Sequence, residues 1–165
     1  MRRVVTGHRN GKSVILDDAE IPGQGRFGSE IAVIWKTEGI PTIPLKEEDY
    51  KKQIPIEFSK LGETHIGIWV CPPDKEYFKR AKENGVDLIA EWRKIYGDDF
   101  RMHTTDTVDS DIILSGEIWM EVDDGLEVHL KAGDCVIQNG TRHAWRNKSS
   151  ENCVMATVMV GAKRR

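Results

Sequence analysis

From residue 101 onward the chain breaks into short β-rich runs separated by turn residues: DIILSG, EIWMEV, DDG, EVHLKAGD, CVIQNG, RHAWRN and VMATVMV. Closely spaced strands with Gly and Asp turns therefore predict an antiparallel sandwich or barrel. The N-terminal part supplies more strand. RRVVTGHRNGKSVIL has β-formers on both sides of Asn10-Gly11, a pair suited to a tight hairpin turn. The Gly-rich stretch 18–29 reads as a loop, EIAVIWKT (30–37) and ETHIGIWVC (63–71) as strands, and the proline-containing, charged run between them as an irregular connection.

One segment has a different period. In DKEYFKRAKENGVDLIAEWRKIYG (74–97), Phe78, Ala81, Leu88, Trp92 and Ile95 or Tyr96 recur at helical spacing, a stripe that packs against the barrel. Asp74 suits the cap, Gly97 the end, and Asn84-Gly85 splits the helix in two. The expectation is an all-β fold of one domain over 1–165. The hairpin and first strands occupy 1–71, a helical insertion 74–97, and the core 101–160.

Composition narrows the function. The 165 residues carry a formal charge of −3, with 39% hydrophobic and 31% charged residues. No strongly basic footprint points to nucleic acid, and the basic ends MRR and KRR read as solvated tails. No apolar run approaches the ~20 residues that cross a bilayer, and the N-terminus lacks a signal-peptide core. Cys71, Cys135 and Cys153 form no CxxC pair and sit in apolar runs, so they read as mostly buried free thiols of a cytoplasmic protein.

Two stretches carry chemistry. HTTDTVDSDIILSGEI holds His103, Thr105, Asp109 and Gly116; LKAGDCVIQNGTRHAWRN holds Gly133-Asp134, His143 and Asn147. They resemble the two motifs of the cupin superfamily, small jelly-roll barrels whose first motif runs His-x-His, Glu, Gly and whose second runs Gly-Asp, His, Asn. The resemblance covers roughly 101–147 and implies a cupin-type jelly-roll barrel. It also implies a divalent metal, Fe(II), Zn, Mn or Ni, held by His103, Asp109 and His143. The sequence departs from the pattern at three points. Thr105 stands where a second histidine is usual, Asp109 replaces glutamate, and the second motif lacks its proline and is one residue shorter between Gly and His. Two imidazoles and one carboxylate still form a sufficient ligand set with open positions.

Strand parity supports convergence without the family. Residues 103 and 105 share a face, as do Asp109, Asp111 and Ile113, and His143, Trp145 and Asn147. Thr105 is then placed to hydrogen-bond a bound water. An inward Asp111 among Ile112, Ile113 and Leu114 needs a partner and would carry a raised pKa, which suits a general acid or base. His65 is a second candidate for proton transfer, on the opposite face to Thr64 and Ile66. Gln138, Arg142 and Trp145 are candidates for substrate contact, Arg142 for a carboxylate because its fork pairs bidentately. His8 and His129 read as surface groups.

These residues lead to a metal-dependent enzyme acting on a small oxygenated molecule by lyase, dehydratase, decarboxylase or isomerase chemistry. The same ligands also suit an Fe(II) dioxygenase on an aromatic substrate, and a non-catalytic small-ligand-binding cupin is the reading from another class. Cupins commonly dimerise, so a homodimer is expected.

Overall fold

The computed structural model describes residues 1–51, 54–97 and 101–165. Asn10 and Gly11 take positive φ angles of 51° and 71°. They close a hairpin between β1 (Arg2–Arg9) and β2 (Lys12–Glu20), which forms a two-stranded sheet of its own. The stretch expected to be a loop is strand at both ends. β2 runs on to Glu20, and β3 (Gln24–Arg26) pairs with β4 (Ser29–Glu38). The charged connection holds a short helix, α1 (Glu47–Lys51), whose Tyr50 is buried. Of the N-terminal arginines, Arg2 pairs with Asp18 at the surface, while Arg3 is drawn inward. Arg3 bonds Asp17 at 2.7 Å and the Tyr50 carbonyl at 2.8 Å, joining the hairpin to α1.

After β5 (Glu63–Cys71) the chain forms α2 (Asp74–Glu83) and α3 (Leu88–Tyr96), divided at Asn84-Gly85 as the sequence predicts. The cap differs from expectation. Pro73, whose side chain has no acceptor, holds the N-cap position of α2, and the Asp74 carboxylate is paired with Arg101. Asp87 does cap α3, accepting from the Ala90 N–H at 3.0 Å. No helix of the described residues is long and apolar enough to cross a membrane.

The remaining strands are β6 (Thr107–Ser115), β7 (Glu117–Glu121), β8 (Glu127–Lys131), β9 (Cys135–Asn139), β10 (Ala144–Arg146) and β11 (Cys153–Gly161). They build a six-stranded sheet ordered β3-β4-β5-β11-β6-β9 and a three-stranded sheet β10-β7-β8, with every pair antiparallel. This is the mostly β, cupin-like barrel with a short helical insertion that the sequence predicts. Between the sheets lies an apolar core that includes Ile113, Ile118, Met120, Leu130, Trp145 and Met155. Cys71 and Cys153 join it, but Cys135 is exposed at the outer face of β9.

β6 and β9 reverse the usual polarity. On β6 the buried residues include Asp109 and Asp111, while Val108, Ile112 and Leu114 are exposed; on β9 Gln138 is buried and Ile137 exposed. A strand that hides carboxylates and shows aliphatics has an interior built for something other than packing.

Gly116 joins β6 to β7 at φ 72°, and a Cβ there would lie 2.4 Å from the Asn152 carbonyl oxygen. Gly125 has φ 69° with nothing within 4 Å. Gly125→Ala should therefore lose only the ~1–2 kcal/mol of left-handed backbone, and Gly116→Ala clearly more. Urea denaturation of the two variants measures the difference, and equal losses would contradict the close approach.

Candidate metal centre and aromatic cavity

His103 and His143 face each other across an isolated antiparallel bridge, each N–H donating to the other's carbonyl at 2.9 Å. The backbone pairing fixes the side chains together, and the ring centroids lie 4.5 Å apart. Nδ1 of His103 donates to the Arg101 carbonyl at 3.0 Å, since a carbonyl only accepts; this leaves Nε2 bare. Two contacts compete for Nδ1 of His143. It lies 2.9 Å from the Thr141 carbonyl and 2.6 Å from the Gln138 side-chain amide nitrogen. Donation to Thr141 bares Nε2, whereas acceptance from Gln138 puts the proton there. The first tautomer is the one that could hold a cation on Nε2. Burial, with His103 nearby, holds the His143 pKa below its ordinary value despite the Thr141 bond, so the neutral ring is favoured.

The carboxylates come from the six-stranded sheet. Asp109 stands opposite Gln138 on one side and Met159 on the other; Asp111 stands opposite Val136 and Thr157. Both are buried. Oδ1 of Asp109 has no hydrogen-bond partner among the described residues. Desolvation raises the Asp109 pKa, and Thr107 and the His103 charge pull it back. Asp111 accepts a hydrogen bond from the Thr157 hydroxyl at 2.8 Å. Desolvation still pushes its pKa up to about 6, against the Thr157 bond and with help from Asp109. Thr105 is buried, its hydroxyl 2.8 Å from that of Thr107 and its carbonyl held by Arg164 at 3.0 Å.

Two bare-able imidazole nitrogens and an orphaned carboxylate oxygen fit a divalent cation by their chemistry. The three donors do not draw together as closely as another set does. Among the described residues, the set of three whose ligand atoms lie within 4.8 Å of one another is Glu57, Glu63 and His65. That cluster already has its cation. Lys36 Nζ lies 2.9 Å from Glu63 and 3.2 Å from Glu57 and from Glu38, and these carboxylates, Glu63 foremost, hold the ammonium above its ordinary pKa. His65 belongs to this cluster. It is fully buried, with Nδ1 3.0 Å from the Glu57 carbonyl and Nε2 without a hydrogen-bond partner.

Beside His103 opens a cavity of about 170 Å³. Trp69 and Cys71 from β5 and Trp145 from β10 form its barrel side; Tyr77, Trp92 and Tyr96 close it from α2 and α3. The helical stripe expected to pack on the barrel thus also walls the cavity. Tyr77 and Trp92 stack with centroids 5.8 Å apart, and Tyr96 lies 5.5 Å from the His103 ring. Arg101 enters the same space, pairing with Asp74 at 2.5 Å and lying 5.0 Å over Trp92.

The sequence candidates divide accordingly. Trp145 lines the cavity and meets His143 edge to face. Gln138 reaches His143 and accepts the Gly140 N–H at 2.5 Å, so it braces the histidine. Arg142 donates to Asp123 at 2.7 Å and is not among the residues lining the cavity. Sequence reading missed Arg101 and Trp92 as site residues. Their partner Asp74 lies 27 residues from Arg101, and no local pattern encodes the meeting.

Residues 97–160 match the family model described as a cupin domain. The chain carries a cupin domain. Part of this cupin is 43% identical over 53 residues to phomopsin biosynthesis cluster protein C' of Diaporthe leptostromiformis, covering 32% of this chain and 28% of that protein. Another stretch of similarity, 45% over 47 residues, is to oryzines biosynthesis cluster protein J of Aspergillus oryzae, covering 28% of this chain and 26% of the relative. The match thus spans little more than a quarter of these relatives. Among solved structures, the Schizosaccharomyces pombe Cnp3 cupin domain superposes with a TM-score of 0.49 at 9% identity, covering 97% of this chain and 87% of that one. A cupin 2 conserved barrel protein from Salinispora arenicola does so with 0.45 at 15% identity, covering 84% and 81%.

The raised pKa of Asp111 makes stability depend on pH. Below about pH 4 the carboxyl is neutral in both states; above it the unfolded chain ionises first, so folding loses free energy until pH passes about 6. In metal-free protein, Asp111→Asn keeps an acceptor for Thr157 and removes this loss. The variant should gain on the order of 2–3 kcal/mol over the parent as pH rises across that window. Parallel melting-temperature profiles from pH 4 to 8 would refute the assignment.

Proposed function

We propose that the cupin barrel holds a divalent metal on His103, Asp109 and His143 and is an enzyme of the lyase, dehydratase, decarboxylase or isomerase kind. The observation that carries this reading is the orphaned, buried Asp109 oxygen on the same interior as a facing pair of imidazoles. Leaving such an oxygen unpaired costs ~1–3 kcal/mol or more, which a bound cation offsets. When bound, the metal supplies a Lewis acid that polarises a carbonyl or carboxylate of the substrate.

The chain's own residues do the rest. Asp111, its pKa pushed up to about 6 by burial, can take a proton from a bound molecule and return it. Gln138 orients His143, and the Arg101 carbonyl orients His103. The aromatic walls present flat faces to the substrate. Two relatives named for biosynthesis clusters support a small-molecule substrate. The exposed aliphatics Val108, Ile112, Leu114 and Ile137 on the outer sheet face support a homodimer, and three free cysteines suit a reducing cytoplasm.

A second reading has its own observation. Thr105 replaces a ligand, and the three donors do not close within 4.8 Å, which favours a small-ligand-binding module. Metal analysis decides between them. The enzyme reading expects roughly one equivalent of Fe, Zn, Mn or Ni in the purified protein, lost in His103→Ala and His143→Ala. Protein that stays metal-free after incubation with Fe(II) and Zn(II) favours the binding module.

A further inference from the structure

We infer that Arg101 is the anchor for a carboxylate in the aromatic cavity, which makes the ligand class a single-ring aromatic acid. The inference rests on the reading of this cavity as the substrate site, and it replaces Arg142 in the role that the sequence suggests. Size comes first. An apolar cavity of ~150 Å³ takes a benzene ring, and this one, at about 170 Å³, adds space for a small substituent. It is below the ~300 Å³ at which drug-sized pockets begin. Shape comes second. Trp92 stacks on Tyr77 with an interplanar angle of 13°, so the helical wall presents flat ring surfaces.

Charge decides the substituent. Among the described residues, the charged side chains that line the cavity besides His103 are Arg101 and Asp74. They meet through one nitrogen of Arg101, Nη1, and one oxygen of Asp74. A guanidinium has five N–H donors in a planar fork that matches a carboxylate. This one is largely buried, 13% exposed, and beyond Asp74 it meets the Trp92 face and the Cys71 thiol, a weak neutral acceptor that a carboxylate outcompetes. A cationic guest, the usual occupant of an aromatic cage, would face the guanidinium across a low-dielectric space. An anionic guest gains the remaining fork. The Arg101 backbone is in the left-handed region at φ 64°, a conformation that costs a non-glycine residue ~1–2 kcal/mol. The same turn lets its carbonyl hold His103 Nδ1 while its side chain enters the cavity. A carboxylate on Arg101 therefore sets the ring beside His103.

Benzoate, benzamide and tetramethylammonium are titrated into the full chain, read by tryptophan fluorescence and calorimetry, with and without EDTA. Benzoate should bind about tenfold more tightly than benzamide, the effect of one charge-assisted pair, and tetramethylammonium should not bind. The preference should vanish in Arg101→Gln, with benzamide binding unchanged. Asp74→Asn frees the fork and should tighten benzoate binding several-fold, which keeps the test informative should Arg101→Gln not fold. A preference that survives EDTA supports Arg101. One that is abolished by EDTA yet survives Arg101→Gln puts the anchor on the metal and overturns this inference while leaving the metal reading intact. Equal binding of acid and amide, preferred binding of the cation, or no saturable binding by any probe also overturns it.

Discussion

The register of β11 governs the interior. This strand pairs with β5 on one side and β6 on the other, setting Met159 between His65 and Asp109 and Thr157 between Gly67 and Asp111. Side chains alternate with a period of two, so a slip of one residue would turn both aspartates to solvent and push Ile112 and Val108 inside. Ile113, Met155 and Trp69 in the same inward set, with Ile113 and Met155 in the core cluster, hold the register against that slip. The apolar end of the barrel therefore fixes the polar end. Packing at Ile113 determines where Asp111 stands.

The polar end is held at a loss. Asp109 and Asp111 lie close enough for the charge of one to raise the pKa of the other, and desolvation acts on both. One hydroxyl, Thr157, answers Asp111; Thr107 acts on the Asp109 carboxylate, but its Oδ1 has no hydrogen-bond partner among the described residues. A chain selected for stability alone would place aliphatics at these two positions, as it does at neighbouring Ile113. The contrast with the Lys36 cluster shows what a satisfied arrangement looks like: three carboxylates there share one ammonium. Inside the barrel the charge is left open, and the two imidazoles of His103 and His143 are the neighbours available to share it.

Much of this was legible because strands and motifs are local. Spacing predicted the hairpin at Asn10-Gly11 and divided the helix at Asn84-Gly85, and strand parity put Asp109, Asp111 and Ile113 on one face, all three of which are buried. Hydrophobicity misled where the interior is polar. Cys135 lies in an apolar run and was expected inside, yet β9 turns Gln138 inward, so Cys135 and Ile137 face out. Asp74 has the composition of a helix cap, but Arg101 offers it a full charge, a stronger partner than backbone N–H groups. Arg142 has the right chemistry for a carboxylate and the wrong parity: its neighbour His143 points in, and Arg142 meets Asp123.

The sequence by itself determined an antiparallel β fold with a helical insertion, because periodicity and turn chemistry act over a few residues, and its motif resemblance pointed to the barrel and to the residue types of the polar interior. Tertiary structure alone decided the cavity. Its walls come from β5, β10, α2 and α3, and its charge comes from a pair 27 residues apart. Such contacts depend on how the helices dock over the barrel, a long-range packing outcome that no local spacing encodes.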